Sequence, residues 1–248
     1  ANKSKNQFKN NDLLIKIKDA QLSGILIDNA VDLVSKKIPK YSNEKLEAAL
    51  LKAQANCFSM GLTTLDDAGL LKEEIDLLEK LQKEKKLKMR LYVMLSDKPS
   101  SYTSSYFTNG GYVTDRLMVK GVKVYGDGAL GSRGAALIAH YSDKPGWGGF
   151  LLSSQAHFDS VAAKLINTDF QMCTHAIGDS ANRVVLKVYE KYLKGKNDKR
   201  WRIEHAQILN PADFDYFGKY SIIPSVQPTH ATSDMYWAED RVGAARIK

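Results

Sequence analysis

Two cysteines, Cys57 and Cys173, are too few to staple a fold of 248 residues. Both sit among apolar neighbours, so they read as buried thiols rather than a bridge. No apolar run approaches the ~20 residues that a membrane span requires. No signal peptide is visible either. Residues 1–11 are polar and rich in Lys and Asn, which looks like an internal cut and leaves the compartment open between cytoplasm and export. Acidic residues are outnumbered, 28 against 36 Lys and Arg, for a net charge of +8. A basic excess can mark a nucleic-acid binder. Here the lysines gather with Glu and Asp at residues 80–88 and 191–199, the ends of predicted helices, where they suit the helix dipole. The aromatic–basic interleaving that stacks bases is missing. These absences exclude a disulfide scaffold, a membrane span and a nucleic-acid partner, and leave a small-molecule substrate.

What is present is ordinary globular composition, 44% hydrophobic and 26% charged. Apolar spacing predicts strands at 62–65, 89–95, 119–125, 170–174, 201–204 and 221–226. Helices alternate with them, at 42–60, 71–81, 155–166 and 181–193, with a short one opened by Asn210 and Pro211. Inward faces are read as Leu46, Leu50 and Cys57; Leu71, Ile75, Leu78 and Leu81; Phe158, Val161, Ala162 and Leu165; Val184, Val188 and Tyr192; and Phe214 with Phe217. Residues 96–118 and 126–150 read as long loops. The strand–helix alternation predicts an α/β fold with a parallel sheet covered by helices. Residues 1–41 form an N-terminal extension or insertion in which 13–15 and 24–27 are short strands or loop segments. Residues 42–248 form the (β/α) domain.

Polar residues fall at the C-terminal ends of five of these six strands: Asp66, Asp127, His175, His205 and Gln227. Sites drawn from nearly every strand favour a TIM-like barrel over an open doubly wound sheet. A closed barrel needs eight strands, so this one is incomplete, or strands hide in residues 1–41. Lys123, inside an apolar strand, is either a snorkelling lysine, a base of depressed pKa, or, after reaction with CO₂, a carbamate ligand. His175 and His205 on neighbouring strands suit a divalent metal, zinc above all. Asp179 either caps the following helix or meets substrate, and His230 and Asp234 lie in a loop that can reach it. Alternation along the strand expects Glu204 and Arg202 to face away from His205, with Arg202 paired to a carboxylate. Residues 126–131 match the dinucleotide pattern G-x-G-x-x-G. They open a long mid-chain loop rather than a first βα turn, so they read as a decoy.

Taken together, five stretches resemble the amidohydrolase superfamily, in its YtcJ-like branch (amidohydrolase family 3, with N-substituted formamide deformylase). They are Gly61-Leu62-Thr63-Thr64-Leu65-Asp66-Asp67-Ala68-Gly69; the run from Val122 through Lys123 to Arg133; His175-Ala176-Ile177-Gly178-Asp179; Arg202-Ile203-Glu204-His205-Ala206-Gln207; and Ser225-Val226-Gln227-Pro228-Thr229-His230. The resemblance implies a metal-dependent hydrolase acting on a C–N bond of an amide or formamide. Lys123, as the amine or in carboxylated form, His175 and His205 would be the metal ligands and catalytic set, and Asp127, Asp179, Gln227 and His230 would contact substrate. The family's His-x-His is not found before residue 61, and the chain ends before the strand-eight Asp. The resemblance therefore implies an inactive internal piece, about strands two to seven, with open sheet edges that favour a homo-oligomer. A nucleotide-binding oxidoreductase and a non-catalytic barrel relative remain the alternative readings.

Overall fold

The structure, a computed structural model, describes residues 7–10, 13–18 and 21–247. Strands β1 (Gln7–Asn10), β2 (Leu13–Lys18) and β3 (Gln21–Ile27) form a small antiparallel sheet in that order. The helix Asn43–Ser59 follows, its first turn capped by the Ser42 hydroxyl accepting from Lys45 N–H.

Six parallel strands then make the main sheet: β4 (Thr64–Leu70), β5 (Arg90–Ser96), β7 (Leu117–Tyr125), β8 (Gln171–Ala176), β9 (Arg202–His205) and β10 (Ile223–Ser225). Their order is β10-β9-β8-β7-β5-β4, and the two-residue β6 (Tyr112–Val113) pairs antiparallel with β7. A flat sheet would set β9 and β4 four steps apart, roughly 19 Å at ~4.8 Å per strand. Yet Arg202 Nη1 on β9 lies 2.8 Å from Asp66 Oδ2 on β4. Only a sheet rolled about its concave face permits that contact. The architecture is a curled half-barrel of six parallel strands, an incomplete TIM-like barrel.

The helices cover the convex face. Ile75, Leu77, Leu78 and Leu81 of the helix Lys72–Lys83, and Phe158, Val161, Ala162 and Leu165 of the helix Gln155–Leu165, are buried there. The helix Asp179–Leu193 turns a different stripe inward than its sequence suggests. Val185, Leu186, Val188 and Tyr189 are buried, while Val184 and Tyr192 only flank the core. Tyr189 decides this. Its hydroxyl lies 3.0 Å from the carbonyl oxygens of Met172 and Arg202 and 2.8 Å from Thr174 Oγ1, fastening β8 to β9 from behind. Phe214 is exposed, because Pro211–Asp213 is a 3-10 turn that rotates the helix Phe214–Lys219.

Three other expectations shift. Asp66 does not end its strand: β4 continues to Leu70 through a bulge beyond Ala68, since β5 supplies hydrogen-bond partners along its length. Residues 96–118 contain two single-turn helices and β6 rather than bare loop. Residues 126–150 build a second small core, in which Leu130, Ala135, Leu137 and Tyr141 pack with Ile177 and Val242.

Candidate active site

Register aligns Lys123 with Cys173 and Cys173 with Arg202, and one step on aligns Tyr125 with His175 and His175 with Glu204. These rows face the concave side, the lumen. Lys123 is buried, its Nζ 4.4 Å from the centroid of the Tyr125 ring. Burial pushes its amine down to about 8, against the pull of the Glu204 carboxylate. Burial likewise drives the Cys173 thiol up to about 12, so it is an inert part of the wall.

His175 sits next to the last position of β8. Burial, with Lys123 and His205 nearby, lowers its imidazole to about 3. It is therefore a neutral donor at ordinary pH. Its buried Nε2 makes no hydrogen bond; the nearest carboxylate oxygen, Asp127 Oδ1, is 3.5 Å away. A buried ring nitrogen without a hydrogen bond at the end of a parallel strand is a candidate donor to a ligand.

His205 reaches the same place by a different route. Regular pairing sets it opposite Ala176, whose side chain packs into the core behind the sheet. But φ is +75° at His205 and +43° at Ala206, a left-handed pair that ends β9. The turn brings the His205 ring edge-to-face against His175, centroids 4.5 Å apart. The expected alternation is thus broken. Arg202, Glu204 and His205 all serve the lumen, because the strand stops regular pleating at His205. Arg202 does pair with carboxylates: Nε and Nη2 donate to Glu204 at 2.7 and 3.0 Å, and Nη1 to Asp66. This Asp66–Arg202–Glu204 group escaped the sequence reading. Its signal was three charged residues inside strands, where each needs a partner.

Beyond β10, Gln227 Oε1 lies within hydrogen-bond reach of His205 Nδ1 and 2.8 Å from His230 Nε2. His230 Nδ1 is 2.7 Å from Asp234 Oδ2, and the His205 and His230 rings are 6.4 Å apart. Gln227 and His230 therefore stand beside the histidine pair. Asp179 does not open onto it, and Asp127 meets it only at His175 Nε2, 3.5 Å from its Oδ1. Asp127 is fully buried, its carboxylate accepting the N–H groups of Ala136 (2.8 Å), Ile177 (2.9 Å) and Gly178 (2.8 Å). Asp179 is buried and accepts the N–H of Ile138 at 2.8 Å. Both hold residues 126–150 over the sheet. That occupation of their oxygens departs from the expected substrate contacts.

The G-x-G-x-x-G match serves the same end. Gly126 donates its N–H to the His175 carbonyl at 2.8 Å, and a Cβ on Gly126 would collide with that oxygen. No helix follows within residues 126–150, so no helix N-terminus is offered to a pyrophosphate.

Metal ions require deprotonated donors. His175 meets this, and burial also lowers His205. With Lys123 they fit as part of a shell. Among the described residues no group of three or more His, Cys, Asp or Glu completes one. No helix among them is long and apolar enough to cross a membrane.

Comparison with known proteins agrees with this geometry. A family model described as the amidohydrolase family matches residues 2–248. The putative amidohydrolase YtcJ of Bacillus subtilis (strain 168) is 30% identical over 246 residues, covering 95% of this chain and 45% of that protein. Protein LONG AFTER FAR-RED 3 of Arabidopsis thaliana is 28% identical over 246 residues, 94% of this chain and 42% of its own length. The chain thus spans less than half the length of the curated relatives it matches. An uncharacterized metal-dependent hydrolase from Pyrococcus horikoshii OT3 superposes with a TM-score of 0.80 at 25% identity, over 94% of this chain and 48% of that one. The corresponding Pyrococcus furiosus structure gives 0.78 at 25% identity, over 93% and 48%. A half-barrel whose lumen ends in paired histidines, matched along almost its whole length, belongs to the amidohydrolase family.

Proposed function

We propose that these residues form part of the active centre of a metal-dependent hydrolase that cleaves the C–N bond of an amide or formamide. The observation that supports this best is the unpartnered, buried Nε2 of His175 beside the ring of His205. His175, His205 and Lys123, as the amine or as its carbamate, would hold a divalent cation, with zinc the best match to imidazole donors. The cation would supply Lewis acidity toward a substrate carbonyl. The protein's own part is to keep both imidazoles neutral by burial, to orient His205 through the turn at the end of β9, and to balance charge around Lys123 with Glu204 and Arg202. Further donors would be needed for a full shell, so the chain alone should be a poor catalyst. The test is zinc loading followed by assay of amine release from N-substituted formamides, with carboxylic esters and nicotinamide cofactors as controls. Failure of the chain, and of any longer form of the protein, to bind a divalent metal would sink this reading. Tight cofactor binding without metal would revive the oxidoreductase alternative.

A further inference from the structure

Resting on the reading of His205 as a metal ligand, we propose that Gln227 is a positioning residue that sets the tautomer of His205. A neutral imidazole carries its proton on one nitrogen and its lone pair on the other. Only the nitrogen with the lone pair can bind a cation. Gln227 Oε1 faces His205 Nδ1 within hydrogen-bond reach, and an amide oxygen only accepts. The proton is therefore held on Nδ1, and Nε2 is left as the donor.

The amide is itself held. The same oxygen meets His230 Nε2 at 2.8 Å, and His230 Nδ1 meets Asp234 Oδ2 at 2.7 Å. Asp234 is anchored further by Gln207 Nε2 at 2.9 Å and Ser233 Oγ at 2.8 Å. An anchored carboxylate, a histidine ring donating from both nitrogens and an amide thus run in series to the back of His205. Gln207 lies two residues after His205, so the series closes into a ring around the end of β9. This arrangement occupies the amide oxygen of Gln227 with two imidazoles. It orients a ligand from behind, a role that partners of ligating histidines fill. Gln227 is exposed, so it can be replaced without opening the core.

The experiment uses the full chain labelled with ¹⁵N-histidine at neutral pH. Two-bond ¹⁵N–¹H correlations report which nitrogen of each imidazole is protonated, and His205→Gln assigns the signal. Zinc chloride is titrated in parallel against a chromophoric chelator. The wild type should show His205 protonated at Nδ1. Gln227→Glu, which keeps an acceptor, should preserve that tautomer and hold zinc affinity within about threefold. Gln227→Met, which has none, should mix the tautomers and weaken zinc ~10- to 100-fold with Tm unchanged. A wild-type His205 protonated at Nε2, the state produced by a reversed amide, would overturn the proposal. So would a Gln227→Met protein that keeps both the wild-type tautomer and its affinity. If the wild type takes up no zinc, that counts against the metal reading alone, and the tautomer measurement still decides the role of Gln227.

Discussion

Arg202 and Asp66 lie 136 residues apart in sequence and four strands apart in the sheet, yet their side chains meet at 2.8 Å across the lumen. Glu204 completes the group, more buried than Asp66: its side chain is 12% exposed against 45%. Removing the guanidinium strands the buried carboxylate. Arg202→Met should cost about 3 kcal/mol, whereas Asp66→Asn, losing a half-exposed pair, should cost under about 1 kcal/mol. Urea unfolding of both variants measures this, and a larger loss for Asp66→Asn would contradict the arrangement.

Acid should destabilise the metal-free protein through His175. The folded protein keeps this imidazole neutral down to about 3, while the unfolded chain protonates it near 6.5. Between those values the unfolded state binds more protons, so stability falls as pH drops through the window, by about 1.4 kcal/mol per unit from this group. Above 6.5 the group contributes no slope. Urea midpoints from pH 7.5 to 4.5 should show this slope, and His175→Phe should flatten it. Equal slopes in the two proteins would disprove the assignment.

Metal binding by this chain should be weak. Two imidazoles and one lysine leave a divalent ion short of the donors that tight sites use. Competition with a chelator should place zinc in the micromolar range or weaker, and His175→Ala or His205→Ala should each abolish what remains. Retention of tight, stoichiometric zinc in either variant would show that other residues bind it.

The Asp127 carboxylate takes three backbone N–H groups, two of them on Oδ2. Asn can offer only one oxygen, so at least one buried N–H would face an amide NH₂. Asp127→Asn should therefore cost ~2–4 kcal/mol. It should also speed hydrogen exchange at Ala136, Ile177 and Gly178. Unchanged exchange at those amides would rule out the staple.

Among the described residues, β4 and β10 each pair on one side only. Such edges invite pairing with another chain, and we propose that the chain self-associates through them. Light scattering should find dimers or larger species. A monomer at high micromolar concentration would count against this.

How much could be read beforehand follows from how locally each feature is encoded. The six parallel strands and the covering helices were legible because apolar period and caps are local. That Lys123, His175 and His205 would gather at one end of the sheet was legible because polar residues in apolar strands stand out. That His205 shares the lumen with Arg202 and Glu204 was not, since alternation sets it on the other face and only the left-handed backbone at His205 and Ala206 turns its ring back. Neither residue is a glycine, so no composition signal announces the turn. The burial of Asp127 and Asp179 was hidden too. A capping Asp and a ligand-facing Asp look alike until the amides of a distant loop are placed around them. Tyr189 escaped because its hydroxyl, rather than the apolar period, chose the helix face.

The second core over residues 126–150 has a consequence for motion. Leu130, Ala135, Leu137 and Tyr141 pack with one another and with Val242, apart from the larger core behind the sheet. Two cores, joined where Asp127 and Asp179 hold Ala136 and Ile138 and where Ala136 packs into the larger one, define two cooperative units of unequal size. The smaller one can open below the free energy of global unfolding, like a hatch, with the strands still paired. Each opening would bring water to the Nε2 of His175, so exchange of whatever sits there would follow the breathing of this roof rather than the stability of the barrel.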